Sequence, residues 1–258
     1  MRNVMAVAGK ELRAYFHSPI AYLVMTVWTG LCGFIFYVMT GNLVAQTLRM
    51  QMMGGRGAPP INLNEFIIRN MLQGILMVVL LFLLPLITMR LFAEEKRSGT
   101  MELLVTSPLT DLEIILGKYL GALALYAVLI AIAFLYIGVL FIYGNPNAKP
   151  LIANALGLLL FGAALLALGM CFSAFTRNQI IAGIVSEIVF LMLWILDWTQ
   201  SFSTGRVAGV LSYMSISTHL DNFAKGVIDL TDVVYFVSLV ALGIFLTARS
   251  VEALKGRA

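Results

Sequence analysis

Charge is what this sequence has least of. Acidic and basic side chains make up 12% of its 258 residues, where a soluble domain carries about a quarter. A soluble domain of this length buries a large core but still needs a polar exterior, and that exterior is missing. Cysteine is scarce too. Cys32 and Cys171 both sit within apolar runs, which excludes a disulfide framework or a cysteine metal centre. His17 and His219 stand far apart with no cysteine or acidic cluster beside either, so no metal site is expected. There is no G-x-S-x-G nucleophile, and no G-x-x-x-x-G-K-[ST] loop to cradle phosphates. Gly117-Lys118 is followed by Tyr119 without a glycine-rich lead-in, and Gly54 to Gly57 lacks the lysine. ATP hydrolysis is therefore not expected in this chain.

What is present is apolar length. A mean hydropathy of +0.94 is concentrated in segments near the roughly 20 residues a helix needs to cross a bilayer. They run over 19–41, 66–91, 114–143, 151–175, 179–198 and 231–247. Barrel strands would alternate in stretches of about ten residues; these runs are continuous. The fold class expected is an all-α integral membrane protein of six spans, forming one transmembrane domain over 1–258. Ahead of the first span, Val4, Ala8, Leu12 and Tyr15 recur at helical spacing among Arg2, Lys10, Arg13 and His17. Residues 1–17 thus read as an amphipathic interfacial helix beside anionic lipid headgroups, rather than a cleaved signal.

Basic residues orient the chain. With the N-terminus inside, the inner segments hold Arg2, Lys10, Arg13, Arg90, Lys96, Arg97, Lys118, Arg177, Arg249, Lys255 and Arg257. The outer segments hold Arg49, Arg56, Arg69, Lys149, Arg206 and Lys225. The excess favours both termini in the cytoplasm and accounts for the basic balance without a nucleic-acid partner. The first outer loop, 42–65, reads as flexible around Gly54-Gly55-Arg56-Gly57 and Pro59-Pro60. In the last, Ile216, Leu220, Phe223, Ala224 and Val227 share one apolar face, which predicts a short helix at the outer surface.

The stretch 94–108 between spans two and three carries the most information. Ser98, Gly99 and Thr100 are helix-start residues, and Glu102 places negative charge near a helix N-terminus. Pro108 stops a helix and biases Ser107 away from helical angles. Thr110-x-x-Glu113 is a capping box opening span three. Met101, Leu103, Leu104 and Val105 are too apolar for a bare loop in water. The pattern is a stiff apolar knob with charged shoulders, suited to a groove on a soluble partner.

The run Glu94-Glu95-Lys96-Arg97-Ser98-Gly99-Thr100-Met101-Glu102-Leu103-Leu104-Val105-Thr106-Ser107-Pro108-Leu109-Thr110, followed by Ile115-Leu116-Gly117-Lys118, resembles the cytoplasmic loop of type-2 ABC exporter permeases. Together with the stretch from Ser217 to Phe236, it most resembles the branch related to gliding-motility and nitrous-oxide-reductase-maturation transporters. The resemblance implies that the loop is a coupling helix docking on a separate ATPase subunit, present in two copies and carrying the ATP and Mg. Glu94, Glu95, Arg97, Ser98, Gly99, Thr100, Met101, Glu102, Leu104 and Pro108 are then the docking residues. The charged members would line the rim, Gly99 and Pro108 would shape the helix ends, and Met101 and Leu104 would fill the partner's groove. A second permease copy or paralogue is also implied, in a bacterial inner membrane, with an envelope or auxiliary subunit as a further partner. No cofactor is expected on this chain itself.

Within the spans, Glu187 is the unusual residue. A carboxylate at mid-membrane costs about 2.5–3.5 kcal/mol on insertion scales. Two readings stand: a pathway or gating residue, or a carboxyl that pins two helices. Asp197 beside Trp194 and Trp198 marks the outer interface. Pro85 is expected to kink span two, and Gly157, Gly162 and Gly169 are expected to allow close helix contacts. The leading function is the permease subunit of an ABC exporter. The alternative is a permease-like subunit that transmits force or assembles an envelope machine without moving a substrate through itself. A secondary transporter would carry more intramembrane charge and internal repeats.

Overall fold

The computed structural model describes residues 2–52, 64–101, 108–144, 146–198 and 206–255. These residues form helices joined by short turns, with no strand among them. A first helix, α1 (Arg2–His17), turns at Ser18 into α2 (Pro19–Met52). A π-helical segment, Asn64–Leu76, runs on into α3 (Met77–Thr88), and α4 (Ala93–Ser98) follows after one turn. Next come α5 (Asp111–Tyr143), α6 (Ala148–Phe175) and α7 (Gln179–Ile195), the last ending in a 3₁₀ turn, Leu196–Trp198. Two short helices, α8 (Arg206–Tyr213) and α9 (Ile216–Ala224), precede α10 (Leu230–Lys255). Among the described residues, six helical stretches are long and apolar enough to cross a membrane. The chain is an all-α membrane protein, and six crossings leave both ends on one face, here called the terminus face.

Element ends follow local chemistry. The capping box expected at Thr110 is formed: Glu113 N–H donates to Thr110 Oγ1 at 3.3 Å, and Thr110 N–H to Glu113 Oε2 at 3.0 Å. Asn147, Asn178 and Ser215 cap α6, α7 and α9 with their side-chain oxygens. Where no breaker stands, helices run further than hydropathy implies. α2 continues from Gly41 to Met52, so the flexible loop expected over 42–65 begins later, and 53–63 lies outside the described residues. α10 likewise continues past Thr247, because Arg249 and Glu252 pair on an exposed face at 3.0 Å and suit a solvated last turn.

Lipid tails are as apolar as leucine, so spans adhere through close packing and polar contacts rather than hydrophobic expulsion. Both devices are present. Gly157 lets Phe223 of α9 approach, a Cβ there falling 2.6 Å from the Phe223 side chain. A Cβ at Gly162 would fall inside the Tyr126 ring, and one at Gly169 on Thr88. All three expected close contacts are therefore real. Gly243 does the same for α10, where a Cβ would lie 2.6 Å from the Ala167 backbone of α6. Buried aromatic donors reach carbonyls on neighbouring helices. Trp28 Nε1–H bonds Leu129 O at 2.7 Å, Tyr126 O–H bonds Leu158 O at 2.6 Å, and Tyr136 O–H bonds Thr29 O at 3.1 Å. Cys32 and Cys171 are buried free thiols, as their apolar setting implied.

On the far face, α9 turns its apolar side into the bundle and its polar side outward, Asp221 keeping 38% of its side chain exposed. Ile216, His219, Leu220, Phe223 and Ala224 are buried, whereas Val227 falls beyond the helix and is 53% exposed. The short outer helix and its apolar face stand as the sequence predicts; Val227's place on that face is corrected. Helix-forming contacts with α6 outweigh lipid or water because Gly157 leaves a slot for Phe223.

Replacing Gly162 with alanine is expected to cost about 1–3 kcal/mol through overpacking against Tyr126. Gly138→Ala, where nothing lies within 4 Å of the added Cβ, should be neutral or stabilising. Thermal midpoints of the two variants in detergent check the pair.

Candidate functional site

The terminus-face corner is built on one buried cation. Lys118, two turns into α5, is 2% exposed, and its Nζ lies 2.9 Å from Glu11 Oε1 of α1 and 2.7 Å from Glu95 Oε1 of α4. The Phe92 ring lies beneath the ammonium, 5.3 Å from Nζ to centroid. An ammonium so desolvated is tolerable only when paired and hydrogen-bonded, so three elements must meet at this point. Glycine makes the meeting possible. A Cβ at Gly117 would sit 2.5 Å from Val7, and one at Gly121 would sit 2.8 Å from Glu11 Cβ.

The other side of α4 is held just as firmly. Its N-terminus has no side-chain cap of its own; Phe92 N–H and Ala93 N–H both donate to Ser173 Oγ of α6 at 3.0 Å. Ser173 Oγ in turn donates to Met89 O at 3.0 Å. Lys96 Nζ donates to Ala174 O, a carbonyl also bonded by Ser250 Oγ of α10 at 2.8 Å. A lysine there suits the negative end of the α6 dipole. α4 closes at Gly99, whose φ of +76° is left-handed, the usual glycine helix stop. Ser98-Gly99-Thr100, expected to start a helix, ends one here; the helix expected after it falls on 102–107, outside the described residues.

This geometry divides the expected docking residues. Glu94, Arg97, Ser98, Gly99, Thr100 and Pro108 are exposed. Glu94 is tethered lightly by Arg90 Nε at 3.4 Å, and Ser98 Oγ and Thr100 Oγ1 lie 2.9 Å apart. Glu95 turns inward, its side chain 15% exposed and bound to Lys118. Met101 is 8% exposed and packs in the chain's own core. Glu102 and Leu104 lie outside the described residues. Between α1 and α4 opens a cleft of about 540 Å³ lined in part by Lys10, His17, Arg90, Glu94 and Thr100.

From the sequence Lys118 reads as a topology charge and as the end of the Ile115–Lys118 run, not as a buried ion-pair partner, and Glu11 is not singled out. The signal available was a lysine one turn inside an apolar span, a position that demands a partner. The expected apolar face of α1 is confirmed, but it meets protein: Tyr15 is buried and its hydroxyl donates to Ile87 O at 3.5 Å.

Glu187 sits half-buried in α7 among exposed apolar neighbours, with Oε1 buried and without a hydrogen-bond partner among the described residues. It is not joined to the Lys118 corner. A second polar cluster on the far face was not foreseen either. His219 Nδ1 lies 2.7 Å from Asp232 Oδ1, His219 Nε2 lies 2.8 Å from Tyr213 O, and Asn222 Nδ2 donates to Asp232 Oδ2 at 2.8 Å. His219 also stacks on Tyr235, centroids 3.9 Å apart. Asp232 is thirteen residues from His219 in sequence, which is why neither suggested the other. Beside this cluster Arg69 and Lys225 both clasp Asp221, at 2.6 and 2.5 Å. Burial pushes the Asp221 carboxyl up, but the hydrogen bonds and charges of Lys225 and Arg69 outweigh it and hold the carboxyl below its ordinary value. Asp197 accepts from Thr218 Oγ1 at 3.0 Å.

Six apolar helices closed on one core, with a pinned charged corner at the terminus face, define a helical multi-pass membrane protein. Within that class the chain belongs to the ABC-2 transporter family, whose model, described as ABC-2 family transporter protein, matches residues 57–246. It is a membrane transport subunit rather than a catalytic one, and membership implies in general an ATPase partner and the pairing of permeases. No curated protein matches the chain.

Lys118→Met leaves two carboxylates buried without their cation. It is expected to cost about 3–5 kcal/mol, read as a lowered thermal midpoint, and the triple variant with Glu11→Gln and Glu95→Gln should recover most of the loss. Because its value is lowered, Asp221 contributes stability above the ordinary carboxylate range and loses it as pH falls through that lowered value. Asp221→Asn should therefore mimic acid, speeding hydrogen exchange in α9 at neutral pH while leaving exchange in α6 unchanged.

Proposed function

We propose that this chain is the permease subunit of an ATP-driven exporter in a bacterial inner membrane, with both termini cytoplasmic. It docks on a separate ATPase through the exposed edge of α4 and the segment that follows, as far as Pro108. A second permease, identical or paralogous, would complete the substrate path between the two bundles. ATP and Mg would be bound by two ATPase copies, since this sequence carries no loop for them. The single observation that carries this reading is the anchoring of α4. A docking element useful for coupling must move with the spans, and Glu95–Lys118, Ser173 and Lys96 tie it to α5 and α6 at three points.

The outward set supplies the contact. Arg97 and Glu94 offer opposite charges, and Gly99 permits the left-handed turn that projects the next residues. Assignment to the gliding-motility and nitrous-oxide-reductase-maturation branch rests on the resemblance of 94–110 and 217–236 alone. The second reading, a force-transmitting or assembly subunit without a translocation path, is favoured by the same anchoring. Glu187 separates the two. A pathway carboxyl matters to substrate flux, whereas a force transmitter needs only packing from it.

Co-expression with a cognate ATPase subunit tests docking. Arg97→Glu and Glu94→Arg, both at exposed positions, are each expected to abolish co-purification while leaving the thermal midpoint of the isolated permease within a degree or two. Retention of full assembly by both would remove α4 from the docking site. In reconstituted complexes, Glu187→Gln is expected to slow substrate transport at least tenfold with ATPase activity kept; transport at the wild-type rate would leave Glu187 a packing residue.

A further inference from the structure

The two flanks of α1 face different surroundings. One, bearing Lys10 and His17, borders the charged cleft beside α4. The other opens on an apolar groove of about 450 Å³, walled by Ala8, Gly9 and Leu12 of α1 and by Leu120, Gly121 and Ala124 of α5. Because α5 is a membrane span, the open side of this groove meets hydrocarbon rather than water.

Gly9 lines the groove without being needed for helix contact. Gly117 and Gly121 are required where α1 crosses α5. A Cβ at Gly9 would meet nothing within 4 Å, and Gly9 is not among the residues of positive φ. Glycine inside a helix is destabilising relative to alanine, yet here it keeps the groove floor open. Charge borders the same side. Arg2, Gly9 and Arg13 recur at spacings of seven and four, which places them on one side of a helix. Both arginines are exposed, and neither is paired with a carboxylate among the described residues.

We propose that this groove seats an acyl chain of an anionic phospholipid from the terminus-side leaflet, with Arg2 and Arg13, eleven residues apart on α1, drawing its phosphate headgroup to the groove's edge by their charge. A wall without hydrogen-bonding groups suits a hydrocarbon chain and cannot satisfy a peptide backbone. Guanidinium forks match phosphate oxygens in pairs. The bound lipid wedges α1 against α5 and so holds Glu11 onto Lys118, setting the depth of the whole corner in the membrane. This site is independent of the ATPase and of any transported substrate.

The test uses the full chain purified in mild detergent, incubated with phosphatidylglycerol or phosphatidylcholine and read by native mass spectrometry. Wild type is expected to retain phosphatidylglycerol well above phosphatidylcholine. Arg2→Gln and Arg13→Gln should each lower that retention about fivefold. Gly9→Leu should remove bound lipid, and Ala124→Leu, which fills the groove from α5 without altering α1, should do the same. Ala6→Leu adds equal bulk to an exposed position outside the groove and should change nothing. Equal retention of the two lipids by wild type would overturn the proposal. So would wild-type retention by Ala124→Leu, or an equal loss in Ala6→Leu.

Discussion

One buried ammonium decides how this molecule is put together at its terminus face. Lys118 enters the bundle with 2% of its side chain exposed, and a cation so removed from water demands charge partners. The sequence supplies them from two distant places, Glu11 and Glu95. Satisfying Lys118 therefore brings α1 onto α5 and fixes α4 beside them. Gly117 and Gly121 are consequences of that meeting, since any side chain would hold α1 off and stretch the ion pair. Ser173 and Lys96 complete the arrangement from the α6 side, so that α4 stands as a rigid outgrowth of two spans.

The same economy holds through the membrane. Apolar surface alone gives the spans no reason to prefer each other over lipid. Selectivity comes from glycines that admit one particular neighbour and from aromatic donors that find one particular carbonyl. Gly162 with Tyr126, and Tyr126 with Leu158 O, show both devices at one contact. On the far face polar groups take over. Arg69, Asp221 and Lys225 form one clasp, and His219, Asp232 and Asn222 form another, which together seat α9 and the start of α10.

What could be read from the sequence was what depends on neighbours along the chain. The six spans, the capping box at Thr110 and the apolar face of α1 are local patterns, and they stand. The glycine contacts of the fourth span were legible because glycine in an apolar helix has few other uses. Pairings across sequence distance were not. Nothing local joins Glu11 to Lys118, or His219 to Asp232, and Glu95 looks from the sequence like any exposed loop acid. Its inward turn follows from Lys118, whose burial is a property of the folded bundle. Helix ends were also misjudged where polar residues are merely permitted in a helix, as in α2 beyond Gly41 and α10 beyond Thr247.

The central claim is that α4 moves as one body with α5. Spin labels placed at the exposed positions Glu94 and Leu112, in a chain whose cysteines are replaced by alanine, measure it directly by pulsed dipolar spectroscopy. In the permease reconstituted in lipid, the account predicts one narrow distance that broadens when Lys118 is replaced by methionine. A broad or two-peaked distance while Lys118 is intact would contradict it.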